Sequence, residues 1–356
     1  MLGFGKKQSQ ATFKDRVTQF WEWYPTVADR FFEAIEAGRC EDLTSEVSEA
    51  TVFSLPTMAW VFGPGENGGH SFTVSGEGYL PKQLLAEYWH TRALEISHWT
   101  FHASRQPAEE ENLKTMAIAI GEHESIDTES FLIQTEVDDE AEKIHIVAWH
   151  PLLEKLPEEH HYQILFILLD EALGEFGTQT WLGEIKVEAF KPTERTRTIA
   201  NLPKFIKEVE NYHQWEKTPP LRAYSLYEVP EQSDTRRGDT LIGTTCIPDI
   251  VIEFLENGGR LAEDPLPDTG AEFAYVAVDG AIFPDGQQSD VRGNIEDALD
   301  ESLQSQFSGR ALGGAFGLSE SYIDLLLLDG DNSRAIVEQT LTALQLDGRS
   351  RIESFL

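Results

Sequence analysis

The sequence predicts an α+β protein: N-terminal helices, then ββαβ units, then a C-terminal ferredoxin-like βαββαβ sandwich. Three observations predict it. The stretch from Ala271 to Leu356 reads AEFAYVAVD, NIEDALDESLQSQF, ALGGAFGLSESYIDLLLLD, SRAIVEQTLTALQL and SRIESFL, which is strand, helix, two strands, helix, strand. That order suits two helices on one face of an antiparallel sheet. The middle of the chain twice runs through a hairpin, a helix and a further strand. The opening segment carries apolar side chains at three- and four-residue spacing, the period of a helix. The parts divide at 1–55, 56–217 and 218–356, with breakers between them.

Taken in order, residues 1–10 read as disordered. Phe13, Val17, Phe20, Trp21 and Tyr24 form one face of a first helix, from Ala11 to Trp23. Pro25 opens a second helix, because a proline at the first helical position loses no hydrogen bond. Val27, Phe31 and Ile35 are its stripe and Gly38 its cap. A third helix spans Asp42 to Phe53. MAWVFGP and HSFTVSG make a hairpin across GENGG, followed by the helix PKQLLAEYWHTRALEI and the strand HWTFHASR. Gln106 to Asn112 reads as an acidic linker.

SFLIQTEV and KIHIVAWHP make a second hairpin across DDEAE, followed by the apolar helix HHYQILFILLDEALGEF and the strand TWLGEIKVEAF. The repeated order suggests an internal duplication whose two ββαβ units share one sheet. A helix follows from Thr198 to Trp215, and the paired prolines of KTPPLR mark a boundary. The strand AYSLYEV and the helix PDIVIEFLENGG, with Pro248 at its start and two glycines at its end, lead into the last stretch. Leu325 to Leu328 should be among the most buried residues, since a continuous apolar run needs cover on both faces.

Charge is the strongest compositional signal: 62 Asp and Glu against 28 Lys and Arg, a net charge of −34. Such a chain repels nucleic acid and anionic lipid, and attracts a basic protein partner. The same charge also serves solubility. Cys40 and Cys246 are distant in sequence and suit a reducing compartment, where they stay unpaired. The lysines of MLGFGKKQSQ are not followed by an apolar stretch, and no run approaches a membrane span. A soluble cytoplasmic protein is expected.

Few residues suggest chemistry. GRALGGAFG at 309–317 has a helix before it and a strand after it, the reverse of a dinucleotide fingerprint. Gly313 and Gly314 there suit a bulge or a close backbone approach. GPGENGG at 63–69 reads as a turn. His98 and His102 lie on one strand face but too far apart to share a metal. His145 and His150 face opposite sides of a strand, and His160 and His161 diverge at a helix start. His90, His98 or His102 could meet a glutamate only through tertiary folding.

DGDNS at 329–333 begins like a calcium loop, but Arg334 and Thr340 stand where glycine and glutamate are needed. Asp324 interrupts an apolar strand on the face of Tyr322 and Leu326, and is expected to pair with an arginine. Cys246 precedes a helix N-terminus that could lower its pKa, with His213 and Asp249 in the same part of the chain, yet a buried small hydrophobe is the better reading. No catalytic, metal or cofactor residue set emerges.

FWEWY, RGDTLIG, the IEDAL helix and GLSESYIDLLLLD resemble a group of bacterial proteins of unknown function. The element order of the last part is similar to the ferredoxin-like domain of a bacterial ribonuclease E inhibitor family, a likeness of fold that carries over no residue. The expected function is a protein-binding or regulatory module with a basic partner. The alternative is a hydrolytic enzyme with a His and acidic site between the α+β units. A concave site of convergent polar groups with shifted pKa values would favour the enzyme.

Overall fold

A computed structural model describes residues 11–120, 124–189, 191, 195–216, 218–230, 235–284 and 286–356. The expected disorder of residues 1–10 lies outside these. The fold is α+β, as the sequence predicts. The first part contains helices α1 (Phe13–Glu36) and α2 (Thr44–Ser54), strands β1 (Ala59–Pro64) and β2 (His70–Ser75), helix α3 (Leu80–Thr91) and strand β3 (Trp99–His102). Next come α4 (Glu110–Thr115), β4 (Ala117–Ile120), β5 (Glu124–Asp127), β6 (Leu132–Asp138), β7 (Lys143–Trp149), α5 (Glu158–Leu173), α6 (Glu175–Trp181), β8 (Leu182–Val187), β9 (Thr196–Thr198) and α7 (Leu202–His213). The last part holds β10 (Ser225–Glu228), β11 (Thr240–Thr245), α8 (Pro248–Glu256), β12 (Glu272–Asp279), α9 (Gln288–Ser305), β13 (Gly309–Gly317), β14 (Glu320–Leu327), α10 (Asp331–Ala343) and β15 (Ser350–Ser354).

The chain forms two compact units that do not follow the expected division at 55 and 217. One unit comprises the described residues up to Met58, Leu80–Trp99 and Ala223–Leu356; the other comprises Ala59–Tyr79 and Thr100–Arg222. The N-terminal helices therefore belong with the C-terminal sheet and do not stand as a segment of their own. The physical reason lies in their aromatic side chains, which are too large to bury within two helices. Trp21 stacks on Trp89 of α3 with ring centroids 5.0 Å apart, and Tyr24 meets Trp99 edge-on at 5.4 Å. Lys14 pairs with Asp329 at 3.0 Å.

α1 is one helix, not two. A reciprocal cap between Thr12 and Asp15 starts it, and Pro25 lies inside it. An internal proline costs about 3 kcal/mol, but burying one aromatic side chain returns about 1.5–3 kcal/mol. Phe20, Trp21, Tyr24 and Phe31 are all buried on the face that runs past Pro25. Pro25 itself is exposed, so water can reach the turn it interrupts.

In the C-terminal sheet the strand order is β10-β11-β13-β14-β12-β15. Every pairing is antiparallel. α9 and α10 pack on each other. Ile295, Leu299 and Leu303 of α9 and Ile336, Val337 and Leu341 of α10 cover Val276, Val278, Ile323 and Leu325 on one sheet face. The opposite face carries Tyr275, Tyr322 and Asp324, with Phe254 of α8 and Phe355 packed against Tyr275. With both faces covered, Leu325 to Leu328 are 0–2% exposed, as the apolar run predicts.

The other unit has three sheets: β1-β2-β3, the hairpin β4-β5, and β8-β7-β6-β9. The two ββαβ runs thus do not share a sheet. β7 and β8 are parallel, joined through α5 and α6. Leu165, Leu168 and Leu169 of α5 pack with Ile133, Ile144 and Ile146 of the sheet. Gly174, at φ +73°, separates α5 from α6, where one continuous helix was expected to lead into the strand. The acidic stretch read as a linker ends in α4, whose first turn carries Glu110 and Glu111 in the favourable dipole position.

Candidate functional site

Parallel strands joined by a helical crossover leave a crevice at their C-terminal ends, because the chain departs there into the connecting helix. β7 ends at Trp149, turns through His150 to Lys155, and starts α5 at Glu158. Beside it β8 ends at Val187. The crevice is a cleft of about 790 Å³ walled by Trp149, His150, Glu154, Glu158, Tyr162 and Glu188 over a floor that includes Leu153 and Val187. The three glutamates and Tyr162 are exposed. The Trp149 Nε1 is buried with no hydrogen-bond partner. The ammonium of Lys191 lies 5.9 Å from the Trp149 ring centroid. A cleft lined by glutamates and an indole suits a cation, which carboxylate charge and the ring quadrupole both attract.

His150 lines this cleft and is only 4% exposed. Its Nδ1 accepts the Leu152 N–H at 3.2 Å, which leaves the ring proton on Nε2. Nε2 lies 3.0 Å from the Ser130 Oγ and therefore donates to it. The serine hydroxyl in turn reaches the Asp127 carbonyl at 3.3 Å. A nucleophilic serine needs the opposite arrangement, with the imidazole accepting its proton. This pair fixes a turn.

Burial holds the His150 pKa below its usual value, so the ring stays neutral at neutral pH. The stabilisation linked to it is present above the unfolded value of about 6.5 and is lost as pH falls below it. An NMR titration should place His150 below that value; a midpoint at or above it would contradict the buried tautomer.

Four of the other histidines each hold a separate local contact. His98, at φ +67°, precedes β3 and packs on Phe32 with centroids 5.0 Å apart. His145 Nδ1 accepts the Glu184 N–H at 2.8 Å. His161 Nε2 donates to the Leu156 carbonyl at 3.0 Å. His213 pairs with Asp139 at 2.6 Å and belongs to a different unit from Cys246 and Asp249. Among the described residues no group of three His, Cys, Asp or Glu could hold a metal. Asp329 of the calcium-like stretch is taken up by Lys14, and Asp331 begins α10.

Cys40 and Cys246 are both free. Burial pushes the Cys246 thiol up to about 11, the reverse of what the helix start alone would do. Cys246 is fully buried, whereas Cys40 is half-buried. In the native protein a thiol reagent such as DTNB should titrate Cys40 and spare Cys246 until denaturant is added. Rapid loss of both thiols would refute the sealed site.

Asp324 does pair with an arginine. Arg237 Nη1 lies 2.5 Å from Asp324 Oδ1, with both side chains 0% exposed. The rings of Tyr322 and Tyr275 flank the guanidinium at 4.6 and 5.0 Å. Burial pushes the Asp324 carboxyl up, and Arg237 opposes it. Two residues on, Asp239 accepts from the Ser319 N–H and Oγ, each at 2.8 Å, and from the Tyr322 hydroxyl. RGDTLIG is therefore a clamp on the β13–β14 turn. No ligand can reach the sealed pair. The Gly-rich stretch is β13 itself, with an irregularity between Ala311 and Gly313.

Nothing in the sequence reading assembled the cleft. Its signal was WHP at 149–151 followed by glutamates at 154, 158 and 159, a strand end running into an acidic helix start. No family model, curated protein or solved structure matches the chain.

Proposed function

We propose that the protein is a cytoplasmic binding module that receives a basic protein partner, and that the cleft at the ends of β7 and β8 takes a lysine or arginine side chain of that partner. The observation that carries this reading is a cleft lined by three exposed glutamates and the Trp149 side chain in a chain of net charge −34. The field steers a basic surface inward, and the cleft supplies a specific contact. The acidic turn between β6 and β7 adds to the same field. There Asp138 accepts from the Glu140 and Ala141 N–H groups at 3.1 and 3.0 Å, and Glu140 and Glu142 are exposed.

The order β13-β14-β12-β15, which is second, third, first and fourth in the βαββαβ stretch, supports a ferredoxin-like reading of the C-terminal part. Hydrolysis has less support, because the Ser130–His150 bond runs in the wrong direction for serine activation.

The test is a titration of the whole protein with a short lysine- and arginine-containing peptide. Neutralising Glu154, Glu158 and Glu188 to glutamine should weaken binding by at least about tenfold, or about 1.4 kcal/mol. Trp149→Leu should do so at high salt as well as low, because ring contact is screened less than long-range attraction. Equal affinity in all variants would overturn the assignment of the cleft.

A further inference from the structure

A second cleft in the same unit has the opposite chemistry. It has a volume of about 510 Å³ and is lined by Arg195 and Arg197 with Phe205, Gln134, Thr135 and Glu136. β9 is the edge strand of its sheet, and its register sets Arg197 opposite Ile133. Arg197 therefore lies on the core side of the sheet, where α7 presents Phe205. The guanidinium carbon sits 3.4 Å from the Phe205 ring centroid. Its Nε is sealed from water and has no hydrogen-bond partner. Neither arginine forms an ion pair among the described residues.

That isolation is unexpected in a chain with 62 carboxylate residues for 28 cations. Elsewhere its arginines are commonly matched, as in Arg30 with Glu46, Arg310 with Glu87 and Arg334 with Glu272. Arg197 is partly desolvated, which lowers its pKa, while the Glu208 charge acts on it only at a distance. A guanidinium stays protonated under any such shift, so a charge partly removed from water has no ion-pair partner among the described residues. Glu136 also borders the cleft, but strand alternation places it on the opposite face of β6 from Ile133.

We propose that this cleft binds a small organic oxyanion, a carboxylate or phosphate held by the forks of Arg195 and Arg197. Two planar guanidiniums match an oxyanion bidentately, and Thr135, on the Ile133 face of β6, adds a hydroxyl beside them. Phe205 backs one face of Arg197, which fixes the fork and excludes water. The volume suits a ligand of metabolite size. The net negative field of the chain repels free anions, so binding depends on direct contact with this pair.

The test is calorimetric titration of the full chain with inorganic phosphate, pyrophosphate and citrate at constant ionic strength. At least one should bind at a single site. Arg197→Ala should weaken it by at least about tenfold and Arg197→Lys by less. Binding by the phosphates alone assigns phosphate esters; binding by citrate alone assigns carboxylates. Arg195 is exposed, so Arg195→Ala should retain the native melting temperature and still weaken binding. No binding of any probe at millimolar concentration, or binding that both arginine variants leave unchanged, overturns the proposal.

Discussion

Replacing Asp324 with alanine should destabilise the protein by about 3–5 kcal/mol, because it strands a buried guanidinium. The rings of Tyr275, Tyr322, Phe254 and Phe355 lie around the Arg237 guanidinium, and both side chains of the pair are fully buried. The Nε of Arg237 and the Oδ2 of Asp324 already lack partners; one Nη1–Oδ1 contact joins the pair, and Arg237 Nη2 also donates to the Tyr227 hydroxyl at 3.4 Å. Replacing both residues at once, as Arg237→Met with Asp324→Leu, should recover most of the loss, since desolvation of two charges offsets much of their attraction. Urea denaturation of the two single variants and the double variant forms the test. Single variants that cost less than about 1 kcal/mol, the range of exposed pairs, would show that the pair is hydrated.

Gly313→Ala should cost at least about 3 kcal/mol or prevent folding. Gly313 holds φ +123°, and a Cβ there would overlap the Thr244 carbonyl and come within 2.7 Å of the Thr245 Cα on β11. Both obstacles are backbone, so neither can move aside without separating β11 from β13. Gly38→Ala is the control. It also has positive φ, at +69°, but a Cβ there would meet nothing within 4 Å. Its cost should stay near about 1 kcal/mol, the conformational term alone. Equal losses at the two positions would mean that the strand contact is unimportant. Thermal melts of both variants decide.

The last third was legible in the sequence because each of its elements has strong periodicity and a clear stop. β12, α9, β13, β14, α10 and β15 all fall where the pattern puts them. β11 was not read, for a physical reason: its buried positions are Thr240, Gly243 and Thr245, while Leu241 is exposed. Its alternation is inverted, since partners and not apolarity set that burial. Pro25 misled because a local cost lost to aromatic packing that joins residues distant in the chain. The same packing explains why 1–55 did not stand alone.

At the site level, Asp324 could be singled out because a carboxylate in an apolar strand needs a partner. The identity of Arg237 could not, since pairing across 87 residues is set by topology. The cleft at Trp149 likewise depends on β7 and β8 being neighbours and parallel. Sequence spacing does not encode that adjacency.

We propose that an acidic surface with a cation-accepting cleft recognises a basic partner. The most direct measurement is capture from cell lysate by the whole protein and by the Glu154→Lys, Glu158→Lys, Glu188→Lys variant, each at low and high salt. The expected result is a basic protein retained by the native chain at low salt, weakened as salt screens the field, and lost with the variant. Retention of the same protein by the variant, or captured proteins that are acidic and indifferent to salt, would contradict it.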